Sequence, residues 1–186
     1  SGSHLSKDML ELIKSIGDSR SKQEEDKIIL KELDTLKVKI KESNINNKKM
    51  KEYLMRAIYI EMLGHDAPFA HFHAVNLTQD KNILNKRVGY LACNLLLNEN
   101  SECLIMLVST LQKDIASLHW IEVCMALTSV IKFSNSSIIV QAVLEQVYKL
   151  LDNNKSEQVR KKAVACLHRF HQVNPSVVPD ADDKMR

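Results

Sequence analysis

The chain has 186 residues, with only 4 Gly and 3 Pro, where ordinary usage runs near ~7% and ~5%. Sheets, hairpins and phosphate-cradling loops consume glycine, so the shortage predicts an all-helical chain with short connections and excludes a collagen-like or low-complexity one. An apolar share of 45%, a charged share of 26% and a net charge of +3 argue against disorder throughout and do not call for a nucleic-acid partner; no apolar run approaches the ~18 residues that span a bilayer.

In chain order, Ser1-Gly2-Ser3-His4 reads as an expression-tag scar, and no signal peptide follows it. A short helix carries Met9, Leu12, Ile13 and Ile16 and stops at Gly17. A longer one is predicted from about Ser21 to Lys41. Its stripe Ile29, Leu33, Leu36 and Ile40 lies on one helical face, and Ser21 followed by Glu24 is a capping-box signature. The segment Ser43-Asn44-Ile45-Asn46-Asn47 is a polar break.

Charge is uneven along the chain. Between residues 37 and 56 there are seven basic and two acidic residues, whereas 61–186 holds 13 of each. The basic stretch has two readings: a solvated helix end and loop, or a foothold for anionic lipid head groups, where each Lys contributes ~1 kcal/mol. Lys outnumbers Arg there and aromatics are few, which disfavours nucleic acid.

Beyond the break a repeat emerges. Val88, Ala92, Leu95 and Leu96 reappear 35 residues on as Val123, Leu127, Val130 and Ile131, then as Val159, Ala163, Cys166 and Leu167. A second helix repeats likewise: Leu104, Leu107, Val108, Leu111 and Ile115 match Val140, Val143, Leu144, Val147 and Leu151. A fainter earlier copy holds Leu54, Ile58, Met62, Phe72 and Val75. Paired amphipathic helices at this period predict a right-handed α-solenoid of HEAT/armadillo-like helix pairs. Polar turns are expected at 98–101, 134–137 and 152–155, and a third unit lacks its second helix, as expected of a fragment of something longer. The expected divisions are a tag scar at 1–4, N-terminal helices at 5–42, a loop at 43–47, helical repeats at 48–174 and a truncated end at 175–186.

The chemistry-bearing residues are sparse. Cys93, Cys103, Cys124 and Cys166 have no CxxC spacing and read as buried free thiols in a reducing compartment. His71 and His73 point different ways on a helix; His168 and His171 share a face without a further ligand. No HExxH, GxSxG, Walker or GxGxxG pattern occurs, so no enzyme activity, metal or cofactor is expected. Gly89 inside a helix implies close helix packing. Trp120, at a helix start, is either an exposed anchor or packed between repeats.

Several motifs in order resemble a known family. YLMRAIYIEMLGHD at Tyr53–Asp66, KRVGYL at Lys86–Leu91 followed by LLLNEN, EVCMALT at Glu122–Thr128, VRKKA at Val159–Ala163 and LIKSIGDSRSKQEEDKIILKELDTLK at Leu12–Lys37 are similar to the trunk of large adaptin subunits of clathrin-type adaptor complexes. EVCMALT and VRKKAV are most similar to the epsilon type of the fourth adaptor complex. LGHD, HAVNL and the terminal NPSVVPD also resemble the alpha type, and the gamma type is a third candidate.

The resemblance implies an adaptor subunit in intracellular protein transport. Its partners would be a second large, a medium and a small chain, with an Arf-family GTPase and anionic lipid recruiting the assembly. It implies a cytoplasmic location, peripheral on Golgi, trans-Golgi network or endosomal membranes and coated vesicles. By resemblance to the gamma type, Phe72, Val75 and Met106 match apolar positions that dock the GTPase, although Phe72 and Val75 also fit the packing pattern. By resemblance to the alpha type, Tyr53 and Arg56 match a lipid-binding motif whose preceding basic triplet is interrupted here by Met50 and Glu52, with Lys48, Lys49 and Lys51 nearby. The alternative is another helical-repeat scaffold, such as a nuclear-transport receptor.

Overall fold

The computed structural model describes residues 5–153 and 156–178. The expected tag scar at 1–4, the end of the 152–155 turn and the stretch beyond 178 lie outside the described residues. Among those described, regular structure is helical throughout, as the glycine shortage predicts. The chain divides after Leu96 into two compact units.

The first unit holds α1 (Lys7–Gly17), α2 (Lys22–Lys39), α3 (Asn47–Met62), α4 (His71–Leu77) and α5 (Ile83–Leu96), with a 3-10 turn at Pro68–Ala70 leading into α4. The predicted stripe of α2 is its buried face: Ile29, Leu33, Leu36 and Ile40 are all in the core. Ser21 caps this helix by accepting the Glu24 amide at 3.2 Å. The Glu24 carboxylate accepts the Arg20 amide in return, one residue earlier than a capping box requires. α3 packs on α2 and on α5, and α4 sits against α5. Just past the end of α3 stands Gly64, whose φ of 91° lies in the region that favours a residue without Cβ. Gly89 faces α4 with no room for a side chain.

The second unit holds α6 (Cys103–Ile115), α7 (Trp120–Lys132), α8 (Ser137–Asn153), α9 (Glu157–Val173) and a 3-10 turn at Pro175–Val177. α6 packs on α7 and α8, and α9 packs on α7 and α8. Two layers result, α6/α8 and α7/α9, which is helix-pair stacking. The repeat supplies the core: Val123, Leu127 and Val130 of α7 meet the layer of Val159, Ala163, Cys166 and Leu167, all buried. Each buried Val or Leu among them contributes ~1.5–3 kcal/mol by leaving water.

Side chains then fix the register. Cys166 Sγ donates to the Leu127 carbonyl at 3.4 Å and Lys162 Nζ to Thr128 Oγ1 at 2.9 Å. Gln112 Nε2 donates to the Ala142 carbonyl, and Gln146 Nε2 to that of Gln112.

Several repeat positions are not fully buried: Val108, Ile131, Leu144 and Leu151 are half-covered and Phe72 is exposed. Leu95 is exposed and Val88 only partly covered, although their counterparts Val130 and Val123 are buried. Met62 is also exposed, because it closes α3 where the chain leaves the helix.

Asparagine makes many of the turns. Asn46, Asn82, Asn98 and Asn174 each accept, through the side-chain oxygen, a backbone amide two or three residues on. The local bond replaces the glycine that other folds place at such corners.

Candidate functional site

The lysines predicted as an anionic-lipid patch occupy the first two turns of α3. Asn46 caps this helix by accepting the Lys49 amide at 2.9 Å, and Asn47 Nδ2 ties its start to Asp80 at 2.7 Å. Lys48 and Lys49 are exposed, Lys51 is half-buried, and no acidic residue stands in the first turn. Cations at a helix N-terminus oppose the helix dipole by ~0.3–1 kcal/mol each at low ionic strength. Helix stability therefore does not account for their position.

Tyr53 and Arg56 behave differently from the lysines. The resemblance places both in the lipid patch, yet both are buried, Arg56 to 3% exposure. Their positions along α3 turn them inward, toward α2. Arg56 Nη1 lies 2.6 Å from Glu32 Oε1 and 3.7 Å from Asp8 Oδ2. Its guanidinium carbon stands 5.3 Å from the centre of the Tyr53 ring, within cation–π range, and its Nε has no hydrogen-bond partner. Burial pushes the Glu32 carboxyl above its ordinary range, more than the Arg56 and Lys39 charges pull it down. Arg56 is thus paired with the chain's own carboxylates, Glu32 and Asp8. Sequence reasoning missed Asp8 and Glu32, because a pairing across 24 or 48 residues leaves no local spacing to read.

The three apolar docking positions separate as well. Phe72, on α4 in the first unit, is 48% exposed and meets His73 edge to face at 5.6 Å. Met106, on α6 in the second unit, is 37% exposed. Val75 is fully buried. On α4 the inner face carries Ala74, Val75 and Leu77, so Val75 packs in the core and presents nothing to a partner. Trp120 begins α7 and is exposed, as the anchor reading requires.

The histidines are dispersed. His65 Nε2 lies 3.1 Å from Asp26 Oδ1, His71 Nε2 is 3.9 Å from Glu61 Oε1, and His168 meets Gln172 at 3.0 Å. Among the described residues no three metal-ligating side chains converge, and no helix is long and apolar enough to cross a membrane. None of the four cysteines forms a disulfide; Cys93, Cys124 and Cys166 are buried and Cys103 is half-buried.

Comparison with known proteins adds the following. Residues 25–185 match the family described as the Adaptin N terminal region. The chain is 51% identical over 173 residues to "AP-4 complex subunit epsilon" of Arabidopsis thaliana, covering 93% of this chain and 18% of that protein. It is 44% identical over 175 residues to "AP-4 complex subunit epsilon-1" of Homo sapiens, covering 94% and 15%. It is 33% identical over 168 residues to "AP-2 complex subunit alpha-1" of Arabidopsis thaliana, covering 89% and 16%. The chain therefore spans less than a fifth of the length of these relatives.

Proposed function

The chain belongs to the adaptin N-terminal family, and from that membership we propose that it forms a segment of a large subunit of the epsilon type in a vesicle-coat adaptor complex. The observation that carries this reading is the 51% and 44% identity to two epsilon subunits over more than nine-tenths of the chain, against 33% to an alpha subunit. The helix-pair stacking supports it physically. Such scaffolds act by presenting long helical surfaces to other proteins rather than by enclosing a reaction.

The subunit assembles with a second large, a medium and a small chain. The complex works on the cytoplasmic side of Golgi, trans-Golgi network or endosomal membranes and takes a role in intracellular protein transport. A GTP-bound Arf-family GTPase recruits it. Phe72 and Met106 contribute to that contact, a reading supported by the exposure of both apolar side chains. Lys48, Lys49 and Lys51 add a contact with anionic lipid, supported by their exposed or half-exposed position at a helix start with no acidic residue in its first turn. The test is purification of the full-length subunit from cells. Recovery of the three other adaptor chains is the expected result, and a lone chain, or one bound to nuclear-transport cargo, would reject the reading.

A further inference from the structure

The packing of α1 is unlike that of the other helices. It buries only Met9 and Leu12, while Leu10 stays exposed and Ile13 and Ile16 are half-covered. Between α1 and α2 runs a cleft of about 460 Å³ whose walls include Glu11 and Ser15 of α1 and Lys31 and Thr35 of α2. The cleft is an open groove, and with only two side chains buried on α1 the helix is held against α2 by few apolar contacts. At one end it is joined to α2 by the turn at 18–21. At the other, the Asp8 carboxylate reaches two cations on separate helices, Lys39 at 3.8 Å and Arg56 at 3.7 Å.

Beneath this contact, Arg56 is almost fully buried and keeps an unpartnered Nε. Lys49, Tyr53 and Arg56 are spaced i, i+4, i+7 on α3 and share one face. Uncovering Arg56 therefore extends the lysine patch down the same face of the helix.

We propose that α1 is a hinged strap: Asp8, closed on Arg56 and Lys39, holds it over the cleft, and its release adds these two cations to the lysines of α3 for binding an anionic lipid surface. The proposal rests on the membrane contact assigned above to Lys48, Lys49 and Lys51, and supplies its regulation. The latch suits a switch because Asp8 is itself more than half exposed. An ion pair so placed shifts an equilibrium by no more than about fivefold and yields to salt or to a competing anion. Glu32 stays with Arg56 when the strap opens, so the exposed cluster of Arg56, Lys39 and Lys31 keeps a net positive charge.

Two readouts on the chain test this. In Asp8→Asn, α1 amides should exchange with deuterium about two- to fivefold faster than in the wild type. Flotation with phosphatidylcholine vesicles containing one-fifth phosphatidylserine should rise by a comparable factor. Lys39→Gln leaves every atom of α1 in place and should also speed α1 exchange, which separates the latch from a loss of helix-dipole stabilisation at Asp8. Glu11→Gln makes the same charge change on α1, but Glu11 pairs with Lys7 of its own helix; it should leave flotation at the wild-type level and α1 exchange slower than in Asp8→Asn. Unchanged α1 exchange in Asp8→Asn, faster exchange without added flotation, or equal effects from Glu11→Gln would each overturn the strap while the lysine patch stands. If Lys48/Lys49/Lys51→Ala floats as well as the wild type, the membrane reading falls, and the regulation with it.

Discussion

Gly89 on α5 lies against the backbone of α4 so closely that a Cβ there would stand 2.5 Å from the Thr78 nitrogen and 2.7 Å from the Leu77 carbonyl carbon. Both atoms are main chain, so neither can swing aside. Gly89→Ala gains ~1 kcal/mol of helix propensity but must push the packed helices α4 and α5 apart, an overpacking cost of ~1–3 kcal/mol or more. We expect a net loss of stability, read as a lower urea midpoint at unchanged m-value. A midpoint at or above that of the wild type would show that α4 yields.

Glu32 and Arg56 should respond unequally to substitution. Burial raises the Glu32 carboxyl above its ordinary range, so the folded chain holds this proton more tightly than the unfolded one. The contribution is full below the ordinary glutamate range and is lost as pH rises through the raised value. Glu32→Gln keeps an oxygen facing Arg56 and removes a half-buried charge. Because Arg56 then keeps only the more distant, exposed Asp8 as counter-charge, stability at neutral pH should fall by ~1–3 kcal/mol, and the decline across that pH window should flatten. Arg56→Met leaves Glu32 and Asp8 without their shared cation and should cost ~3–5 kcal/mol. Denaturant titrations at several pH values check both.

For the GTPase contact, Phe72→Glu and Met106→Glu should each abolish GTP-dependent pull-down of an Arf-family GTPase while leaving the circular dichroism and the unfolding midpoint intact. Val75→Glu buries a charge in the core and should unfold the first unit rather than weaken binding selectively. Retained pull-down in the Phe72 and Met106 variants would reject their assignment.

Replacing Lys48, Lys49 and Lys51 by Ala should lower flotation with anionic vesicles and leave neutral vesicles unaffected. Relief of the unfavourable dipole interaction should at the same time stabilise the chain by ~0.5 kcal/mol at low salt, an advantage that fades as ionic strength rises. The opposite signs on binding and stability mark a placement serving a partner.

Thiol chemistry should follow burial. The Cys166 thiol, pushed up to about 12 by burial against a small opposing pull from Lys162, remains protonated throughout ordinary alkaline buffers. Half-buried Cys103 should react first with a thiol reagent at roughly pH 8, and Cys166 only as the chain unfolds. Mass spectrometry of incompletely labelled protein gives the order. Early labelling of Cys166 would show that the α7/α9 layer opens locally.

The helices and their inner faces are legible in the sequence because periodicity is a local signal. Ile29, Leu33, Leu36 and Ile40 read as one face and form one, and Ser21 is recognisable as a cap from Glu24 three residues on. The exposure of Phe72 against the burial of Val75 is not legible, since both fit the same apolar spacing and only the turn of α4 on α5 separates them. Nor is the fate of Arg56. A basic residue beside three lysines reads as surface, and its burial depends on carboxylates supplied by two other helices.

The asparagine-held corners have a consequence for the protein's ageing. Deamidation turns Asn into Asp, which keeps an oxygen able to accept the same backbone amide. At Asn46 the change would also place a negative charge at the positive end of α3 and beside Lys48 and Lys49, where helix capping favours Asp as much as Asn. Conversion of Asn46 to Asp would leave the helix start intact, or tighten it, while cancelling some of the positive charge displayed at that end.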